Sequence, residues 1–530
     1  MNTILNVKNL SLTIGTQTLI DNISFNIKHG EIFALVGESG SGKSLTSLAI
    51  MQLLPEAIAV RSGDIILNDI SLFSLSETQM QKVRGKSIAM IFQEPMSALN
   101  PVMSVGMQVA EVLQVHLGLQ KKQLKEKVLA LFVEVALKDP KERYDWYPHQ
   151  LSGGQKQRVM IAIALACEPD LLIADEPTTA LDVTIQAQVL SLLQDICRQR
   201  KLSILFITHD MAVVSQMADT VAVMKEGKIV EQASSQEFFT HPKHPYTQKL
   251  LEDARASKAY TRLEKKDEIL LEVEGLKVYF PIKKGFFQRT RGFVKAVDDV
   301  SFSIGKGKTL ALVGESGSGK STIGKAILSL LDETEGKVSF ENQNLVGLDK
   351  KALNPYRRKI QVVFQDPFSA LNPRMTIAEI LREGMMSLGV GPTSREAQDE
   401  SIQNLLLKVD LEASHMHRYP HEFSGGQRQR IGIARALAVE PELIICDEPT
   451  SALDVSVRTQ VLALLRKLQE ESGVSYLFIT HDLSIVPMVA DTVVVMKEGK
   501  IVEQGLVKDV MQNPQHPYTQ KLLASAPELI

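Results

Sequence analysis

The stretch GESGSGKS occupies residues 37–44 and recurs, letter for letter, at residues 314–321. Its form, GxxxxGK[ST], predicts a loop whose backbone N–H groups turn inward around phosphate oxygens, because glycine tolerates the conformations that such a loop requires. In the first copy the apolar run FALV at 33–36 precedes the loop, and a helical segment that ends before Pro55 follows it. The sequence therefore predicts a strand, a phosphate-binding loop and a helix in succession, with the positive end of the helix facing the phosphates.

Every residue of the two loops is a candidate nucleotide contact. The loops consist of Gly37, Glu38, Ser39, Gly40, Ser41, Gly42, Lys43 and Ser44, and of Gly314, Glu315, Ser316, Gly317, Ser318, Gly319, Lys320 and Ser321. We expect Lys43 and Lys320 to reach the β and γ phosphates, because a lysine at this place in the motif points back over the loop. Ser44 and Ser321 are expected to place a hydroxyl on Mg²⁺.

Five further segments recur at a spacing of 272 positions (for example 447 − 175), so the chain is a tandem repeat. They are HPYTQKLL at 244–251 and 516–523, VMKEGKIVEQ at 223–232 and 495–504, DEPT at 175–178 and 447–450, ITHD at 207–210 and 479–482, and SGGQ at 152–155 and 424–427. A repeat of about 265 residues has the size of a whole domain. We predict a first domain at 1–252, a linker at 253–268 and a second domain at 269–530.

Each repeat mixes strand and helix patterns, which predicts an α/β fold. The short apolar runs LLIAD at 171–175 and LIICD at 443–447 are typical of buried parallel strands. Helical spacing predicts a helical insert at about 95–160 and again at about 367–432. VMKEGKIVEQ predicts a hairpin that turns at Glu-Gly and lies outside the main sheet. The basic stretch at 281–297 predicts an extended hairpin loop that the first repeat lacks.

Composition narrows the class of protein. The 530 residues carry a net charge of −3, which offers no general electrostatic attraction for nucleic acid or an anionic membrane. Three cysteines stand far apart, so neither a disulfide framework nor a zinc site is indicated, and a reducing compartment fits. No apolar run approaches the length that spans a bilayer, and the start MNTILNVKNL lacks the features of a secretory signal. We therefore expect contact with a membrane only through a partner.

Two acidic pairs follow apolar strands. Asp175 and Asp447 end the runs LLIAD and LIICD, and each is followed directly by a glutamate. Ligands of parallel α/β sheets bind at the carboxyl ends of the strands, so these carboxylates are expected to lie beside the phosphate loops. The aspartates suit Mg²⁺ coordination, and Glu176 and Glu448 suit the polarisation of an attacking water.

A third pair of motifs, LSGGQKQR at 151–158 and FSGGQRQR at 423–430, lies between each phosphate loop and each acidic pair. Each offers a helix start, capped by Ser152 or Ser424, that suits a second contact with an anion. With these motifs the chain resembles the ATP-binding cassette (ABC) ATPases, twice and over nearly its whole length. The resemblance implies ATP hydrolysis with Mg²⁺, and two tandem ABC ATPase domains, each with a RecA-like parallel-sheet core, an antiparallel β subdomain and a helical insert.

The resemblance also assigns roles to single residues. Gln93 and Gln365 match the Q-loop, which senses Mg²⁺ and the lytic water and adds a metal contact. His209 and His481 match the switch histidine near the γ-phosphate, and Asp182 and Asp454 match the D-loop.

In the family each nucleotide lies between two domains, so that the phosphate loop of one domain meets the signature of the other. Carried over, the first site combines 37–44, Gln93, Asp175, Glu176 and His209 with Ser424, Gly425, Gly426 and Gln427. The second site combines 314–321, Gln365, Asp447, Glu448 and His481 with Ser152, Gly153, Gly154 and Gln155. An aromatic that stacks on adenine is matched by Phe280 in the second half, whereas Ile14 stands at the aligned position of the first half.

The segments QEPMSALNP at 93–101 and QDPFSALNP at 365–373, together with HPYTQKLL, resemble the dipeptide, oligopeptide and nickel importer ATPases of bacteria. Within them the chain is similar to the fused ATPase of Yej-type peptide and microcin C importers. This implies a peripheral protein at the cytoplasmic face of the inner membrane, whose partners are two integral membrane permease subunits and, indirectly, a solute-binding protein. Residues 96–100 and 368–372 are expected to contribute to the grooves that receive the permeases.

Three alternatives remain. The same motor could serve nickel or glutathione uptake. A soluble tandem ABC ATPase acting on ribosomes would carry a long helical linker between its cassettes, whereas the join here is short. A regulatory module without turnover is disfavoured by the two intact Asp-Glu pairs.

Overall fold

The computed structural model describes residues 3–93, 98–178, 181–255, 268–284, 289–332, 334–366, 370–451 and 453–525. The strands are β1 Thr3–Ile14, β2 Gln17–Lys28, β3 Ile32–Val36, β4 Ile58–Leu67, β5 Ile70–Ser71, β6 Ile88–Ile91, β7 Leu171–Asp175, β8 Ser203–Thr208, β9 Thr220–Lys225, β10 Lys228–Ser234, β11 Ile269–Lys284, β12 Arg289–Gly305, β13 Thr309–Val313, β14 Thr334–Phe340, β15 Gln343–Asn344, β16 Ile360–Val363, β17 Leu443–Asp447, β18 Ser475–Thr480, β19 Thr492–Lys497 and β20 Lys500–Leu506.

The helices of the first half are α1 Lys43–Ile50, α2 Glu77–Val83, α3 Val105–Leu117, α4 Lys121–Glu134, α5 Pro140–Arg143, α6 Gly153–Leu165, α7 Val183–Arg200, α8 Met211–Met217, α9 Ser235–Thr240 and α10 Pro245–Arg255. Those of the second half are α11 Lys320–Ile327, α12 Lys350–Lys359, α13 Ile377–Ser387, α14 Arg395–Lys408, α15 Gly425–Leu437, α16 Val455–Ser472, α17 Val486–Val489, α18 Val507–Gln512 and α19 Pro517–Ala524. Among the residues described, no helix is both long enough and apolar enough to span a membrane.

The central sheet of each half is built from short apolar strands. Its order is β10-β9-β3-β8-β7-β6 in the first half and β20-β19-β13-β18-β17-β16 in the second. The strands from β9 to β6 pair in parallel, and only the edge strand β10 runs antiparallel to its neighbour. Every residue of β3, β7 and β8 is buried. Continuous apolar strands suit such a sheet because both of its faces are covered.

The prediction that VMKEGKIVEQ forms a hairpin outside the main sheet is wrong in its placement. The hairpin forms, but β9 pairs in parallel with β3, and β10 is the edge strand of the same sheet. The physical reason lies in the residues Val221, Ala222, Val223 and Met224, which are all fully buried. Their unbroken apolar run makes β9 a buried parallel strand, and the turn follows it.

A second, antiparallel sheet covers the central sheet of each half, in the order β2-β1-β4-β5 and β12-β11-β14-β15. The basic stretch at 281–297 was expected to form a loop, and most of it instead extends the two long strands β11 and β12. Their register continues through Phe280 opposite Val294 and Ile282 opposite Gly292. Alternating and β-branched residues allow this extension, because the additional backbone groups pair with each other across the hairpin. Residues 285–288, at its tip, lie outside the described part.

Helices α3, α4, α5 and α6 lie between β6 and β7 in the chain and cover the face of the central sheet opposite the antiparallel sheet. Their apolar side chains, among them Val109, Leu113, Val128 and Phe132, form one cluster with the sheet residues Ile91, Leu172 and Phe206. Helices α13, α14 and α15 have the corresponding place in the second half. The helical segments are therefore tied to the central sheet by a continuous apolar core.

Helices from both halves are in contact where the two halves meet. Helix α10 of the first half packs against α16 of the second. A cavity of about 790 Å³ lies between the halves, and both contribute to its lining. His209 and His481 line this cavity, as do Arg255 near the end of α10 and Arg458 on α16.

The SGGQ motifs begin α6 and α15, as the sequence predicts. Ser152 accepts a hydrogen bond from the backbone N–H of Gln155, whose side chain accepts from the N–H of Ser152 in return. Ser424 and Gln427 form the same capping box. The second glycine of each motif touches the following helix. A Cβ on Gly154 would lie 2.5 Å from Ile185 Cγ2.

We predict that Gly426→Ala destabilises the protein by about 1–3 kcal/mol, because overpacking a closed contact displaces its neighbours. A Cβ at this position would lie 2.3 Å from Val457 Cγ1, at the contact between α15 and α16. The measurement is thermal unfolding of the purified chain.

Gly432→Ala is the matched control on the same helix, because nothing lies within 4 Å of its Cβ position. Alanine favours helix over glycine by about 1 kcal/mol, so this variant should be as stable as the parent or more stable. Equal unfolding temperatures for the two variants would contradict the predicted close contact.

Candidate active sites

Four parallel strands bring the candidate residues to one edge of each central sheet. In the first half β3, β8, β7 and β6 are neighbours in this order. Their carboxyl ends lead, respectively, into the phosphate loop, His209, the pair Asp175 and Glu176, and Gln93. Residues far apart in sequence therefore lie side by side, because parallel strands end at the same edge. The second half repeats the arrangement.

The phosphate loops form in both halves and fold around their own lysine. Lys43 Nζ donates to the carbonyl oxygens of Gly37 at 2.8 Å and Glu38 at 2.9 Å. Burial lowers the pKa of this ammonium below its ordinary value. The first glycine is required by geometry: Gly37 has φ +150°, and a Cβ there would lie 2.2 Å from the carbonyl oxygen of Met224. Lys320 makes the same two contacts within its own loop.

Each predicted Mg²⁺ ligand pair is assembled. Ser44 Oγ donates to Asp175 Oδ1 at 3.2 Å, and Ser321 Oγ donates to Asp447 Oδ1 at 2.9 Å. Burial raises the pKa of Asp175 to about 6, and the hydrogen bond from Ser44 acts in the opposite direction. Burial likewise raises the pKa of Asp447. A nearby cation would offset the cost of burying these carboxylates.

The donors at this edge are hydroxyl, carboxylate and amide oxygens, the ligand types that Mg²⁺ prefers. In the part of the chain that the structure describes, no three His, Cys, Asp or Glu side chains are grouped to hold a metal ion by themselves. Proteins commonly bind Mg²⁺ through one or two carboxylates together with substrate phosphates. The residues present therefore fit a Mg²⁺ ion that a nucleotide's phosphates help to hold.

In each site one glutamate contacts both the Q-loop glutamine and the switch histidine. Glu176 Oε2 accepts a hydrogen bond from Gln93 Nε2 at 2.7 Å, and Glu176 Oε1 lies 2.9 Å from His209 Nδ1. Its backbone has φ +46°, in the left-handed region that glutamate rarely adopts. The N–H of Glu176 donates to the carbonyl oxygen of Ile207 on β8, which helps to hold this conformation. Strained backbone of this kind is concentrated at functional sites.

The second half has the same arrangement. Glu448, with φ +47°, accepts from Gln365 Nε2 at 2.9 Å and lies 3.1 Å from His481 Nδ1. Burial acts to raise the pKa of Glu448, but the contact with His481 and the charge of Lys320 outweigh it, and the pKa is lowered. Burial acts to lower the pKa of His481, and Glu448 outweighs it in the other direction. The pair is therefore stabilised as carboxylate and imidazolium.

One hydrogen bond joins each phosphate loop to the opposite half. The backbone N–H of Ser39 donates to Asp454 Oδ2 at 3.3 Å, and the N–H of Ser316 donates to Asp182 Oδ1 at 2.6 Å. The D-loop aspartates therefore lie at the loops of the other half, in a two-fold arrangement within one chain. The hydrogen bonds described for the SGGQ residues lie within their own helical turns, so their contact with an opposite nucleotide stays a prediction.

The two residues aligned with the family's adenine-stacking position, Phe280 and Ile14, differ in their surroundings. Phe280 is half-buried and packs against the apolar core between β11, β12 and the central sheet. Ile14 is 38% exposed. Stacking of Phe280 on adenine therefore stays a prediction.

One contact with each phosphate loop is not predicted by the sequence patterns. The hydroxyl oxygens of Tyr246 and Tyr518, from the two HPYTQKLL segments, accept hydrogen bonds from the N–H groups of Glu38 and Glu315. The one hint in the sequence was that HPYTQKLL is identical in the two halves, because a helix that only covers the surface would not need identical residues. Sequence spacing could not show it, since about 200 residues separate the partners in each half.

Comparison with known proteins agrees with this geometry. The ABC transporter family matches residues 20–179 and 297–451, and the C-terminal region of oligopeptide/dipeptide transporters matches 230–281 and 502–530. The chain is 45% identical to the peptidoglycan transport ATP-binding protein YejF of Agrobacterium fabrum, over 99% of this chain and 96% of that protein. It is 46% identical to the glutathione import ATP-binding protein GsiA of Salmonella paratyphi A, over 96% of this chain and 86% of that protein.

A third relative, the uncharacterized ABC transporter ATP-binding protein YejF of Escherichia coli, is 46% identical over 98% of this chain and 99% of that protein. The family matches the chain once in each half, and both matches begin before the phosphate loop and extend to the DEPT segment. The predicted fold class is thereby confirmed. The chain belongs to the ABC transporter family of ATP-binding proteins, with two ATPase domains in one polypeptide.

Proposed function

We propose that this protein is the ATP-hydrolysing subunit of a bacterial importer for peptides or peptide-like solutes. The observation that carries the proposal is the glutamate held between a glutamine and a histidine beside each phosphate loop. Peptide-like cargo is supported by the two matches to the oligopeptide/dipeptide transporter region and by relatives named for peptidoglycan transport and glutathione import.

Within each site, Glu176 or Glu448 accepts the proton of a water that attacks the γ-phosphorus of ATP. The bond to the β–γ bridging oxygen breaks, and ADP and phosphate leave. Gln93 and His209 orient the carboxylate of Glu176, because they hold its two oxygens separately. Asp175 bonds Ser44, whereas Glu176 bonds Gln93 and His209, so the metal ligand and the general base have different partners.

The phosphate loops bind the triphosphate through their N–H groups and their lysines. Ser44 and Asp175 in the first site, and Ser321 and Asp447 in the second, hold Mg²⁺, with Gln93 and Gln365 contributing a further oxygen. When bound, Mg²⁺ neutralises charge on the phosphates and orients them. The signature residues 424–427 and 152–155 complete the opposite sites, which the D-loop contacts between the halves support.

Two permease subunits receive the motion of the two halves at the cytoplasmic face of the membrane, and a solute-binding protein delivers the cargo to them. Residues 96–100 and 368–372 form part of the docking grooves, although 96–97 and 368–369 lie outside the described residues. Beside the first Q-loop, Val102 is 79% exposed and Met107 is 56% exposed. The aligned residues of the second half, Arg374 and Glu379, are charged. This difference supports docking of two unlike permease segments.

We predict that the double variant Glu176→Gln, Glu448→Gln binds ATP and loses at least about a hundredfold in turnover. Glutamine keeps the shape of the side chain and one acceptor oxygen but cannot accept the proton, and a general base contributes about 10²–10⁴-fold. Phosphate release and retention of radiolabelled ATP are measured on the same preparation.

Glu168→Gln with Glu440→Gln is the matched control. These glutamates are also 272 positions apart, also have positive φ, and have side chains that are 64% and 81% exposed. The control should hydrolyse ATP at the parent rate. Turnover of the first double variant within tenfold of the parent would refute the assigned base.

We also predict that Val102→Glu uncouples transport from hydrolysis. A charge on this exposed apolar side chain opposes burial against a permease segment, because an ionised group is costly to desolvate. ATPase activity of the isolated chain should stay within twofold, while peptide uptake by cells carrying the whole transporter falls.

Ile70→Glu is the control for this surface, since Ile70 is 54% exposed and lies on the antiparallel sheet. Its uptake should match the parent, and Arg374→Glu tests the second half by charge reversal. Undiminished uptake with both Val102→Glu and Arg374→Glu would exclude docking at these positions.

A further inference from the structure

The HPYTQKLL segments contact the phosphate loops in the same way in both halves. Tyr246 Oη accepts a hydrogen bond from the backbone N–H of Glu38 at 3.3 Å. Tyr518 Oη accepts from the N–H of Glu315 at 3.2 Å. Each glutamate is the second residue of its loop. The segment and the loop are each identical in the two halves, and the fold brings the tyrosine to the same loop N–H both times.

The start of the segment is built to hold the tyrosine in place. Glu231 on β10 accepts hydrogen bonds from the N–H groups of Lys243 and His244, both at 2.9 Å. His244 Nδ1 then accepts from the N–H of Tyr246 at 3.1 Å. In the second half Glu503 and His516 make the corresponding contacts. The histidine therefore satisfies an N–H of the first helical turn, and the proline beside it lacks an N–H that would need a partner.

Each ring is fixed as well as its hydroxyl. Lys225 Nζ lies 5.1 Å from the ring centroid of Tyr246, and Lys497 Nζ lies 5.2 Å from that of Tyr518. Burial raises the pKa of both tyrosines to about 12. The hydroxyls are therefore neutral at physiological pH and keep a lone pair for the loop N–H.

The next N–H group of each loop donates a hydrogen bond to the other half of the molecule. Ser39, which follows Glu38, donates to Asp454, and Ser316, which follows Glu315, donates to Asp182. Consecutive N–H groups at the start of each loop are thus held by a tyrosine of the same half and an aspartate of the opposite half. The two anchors therefore hold the first turn of each loop from two sides.

We propose that Tyr246 and Tyr518 are positioning residues that hold the first turn of each phosphate loop in the shape that binds nucleotide. That the nucleotide is ATP rests on the function proposed above, whereas the contact between tyrosine and loop is observed directly. Anchoring the loop before the ligand arrives lowers the ordering cost of binding, so the hydroxyl acts on affinity for ATP. The hydroxyl of Tyr246 bonds the loop, whereas Gln93 and His209 bond Glu176, so we expect the chemical step to be unchanged.

The test is the double variant Tyr246→Phe, Tyr518→Phe in the full chain, which keeps both rings and removes only the hydroxyls. We expect the Kd and the KM for ATP to rise about fivefold, as for the loss of one hydrogen bond at each loop, with kcat within twofold of the parent. Binding is measured with radiolabelled ATP in the Glu176→Gln, Glu448→Gln background. This readout does not need hydrolysis, so its failure is separate from a failure of the proposed ATPase chemistry.

Tyr476→Phe is the matched control. The hydroxyl of Tyr476 is also buried and also bonds a backbone group, the carbonyl oxygen of Leu465 at 3.0 Å, inside the core of the second half. Its loss should lower the melting temperature without changing the KM for ATP. An unchanged Kd in the double variant, or an equal rise in KM for Tyr476→Phe, would overturn the positioning role.

Discussion

The alignment of four buried parallel strands determines the rest of this structure. Strands β3, β8, β7 and β6 consist almost wholly of apolar side chains, and both faces of their sheet are covered. Burial favours this arrangement over an exposed one by about 25 cal/mol for each Å² of apolar surface removed from water. Since the strands run in parallel, the polar residues that follow them have to emerge at one edge. The site is a consequence of how the core packs.

The residues at that edge also depend on the other half of the molecule. The first N–H groups of each phosphate loop are shared between a tyrosine of the same half and an aspartate of the other half. The aspartates begin α7 and α16, and the signature helices pack directly on these two helices. Each signature helix therefore packs on the helix whose first residues reach the phosphate loop of the other half. The contact of the signature itself with an opposite nucleotide stays a prediction.

The halves are similar in their chemistry and different at their surfaces. In both sites the lysine donates to two loop carbonyls, the serine donates to the aspartate, and the glutamate is held between the glutamine and the histidine. Outside the sites, Val102 and Met107 face solvent where Arg374 and Glu379 stand in the second half. The side-chain contacts of the two sites therefore correspond, whereas the residues at these surface positions differ in polarity and charge.

The sequence by itself determined the α/β fold and the duplication, because phosphate loops, apolar strands and capped glycine helices depend on local chemistry. It also predicted that Ser152 and Ser424 cap helices, which needs only neighbouring residues, and the structure adds the reciprocal contacts of Gln155 and Gln427. Only the tertiary structure decided that β9 and β10 belong to the central sheet, that 281–297 mostly extends a pair of strands, and that Tyr246 reaches the loop at Glu38. These features depend on which distant segments become neighbours when the core closes, and no local pattern specifies that.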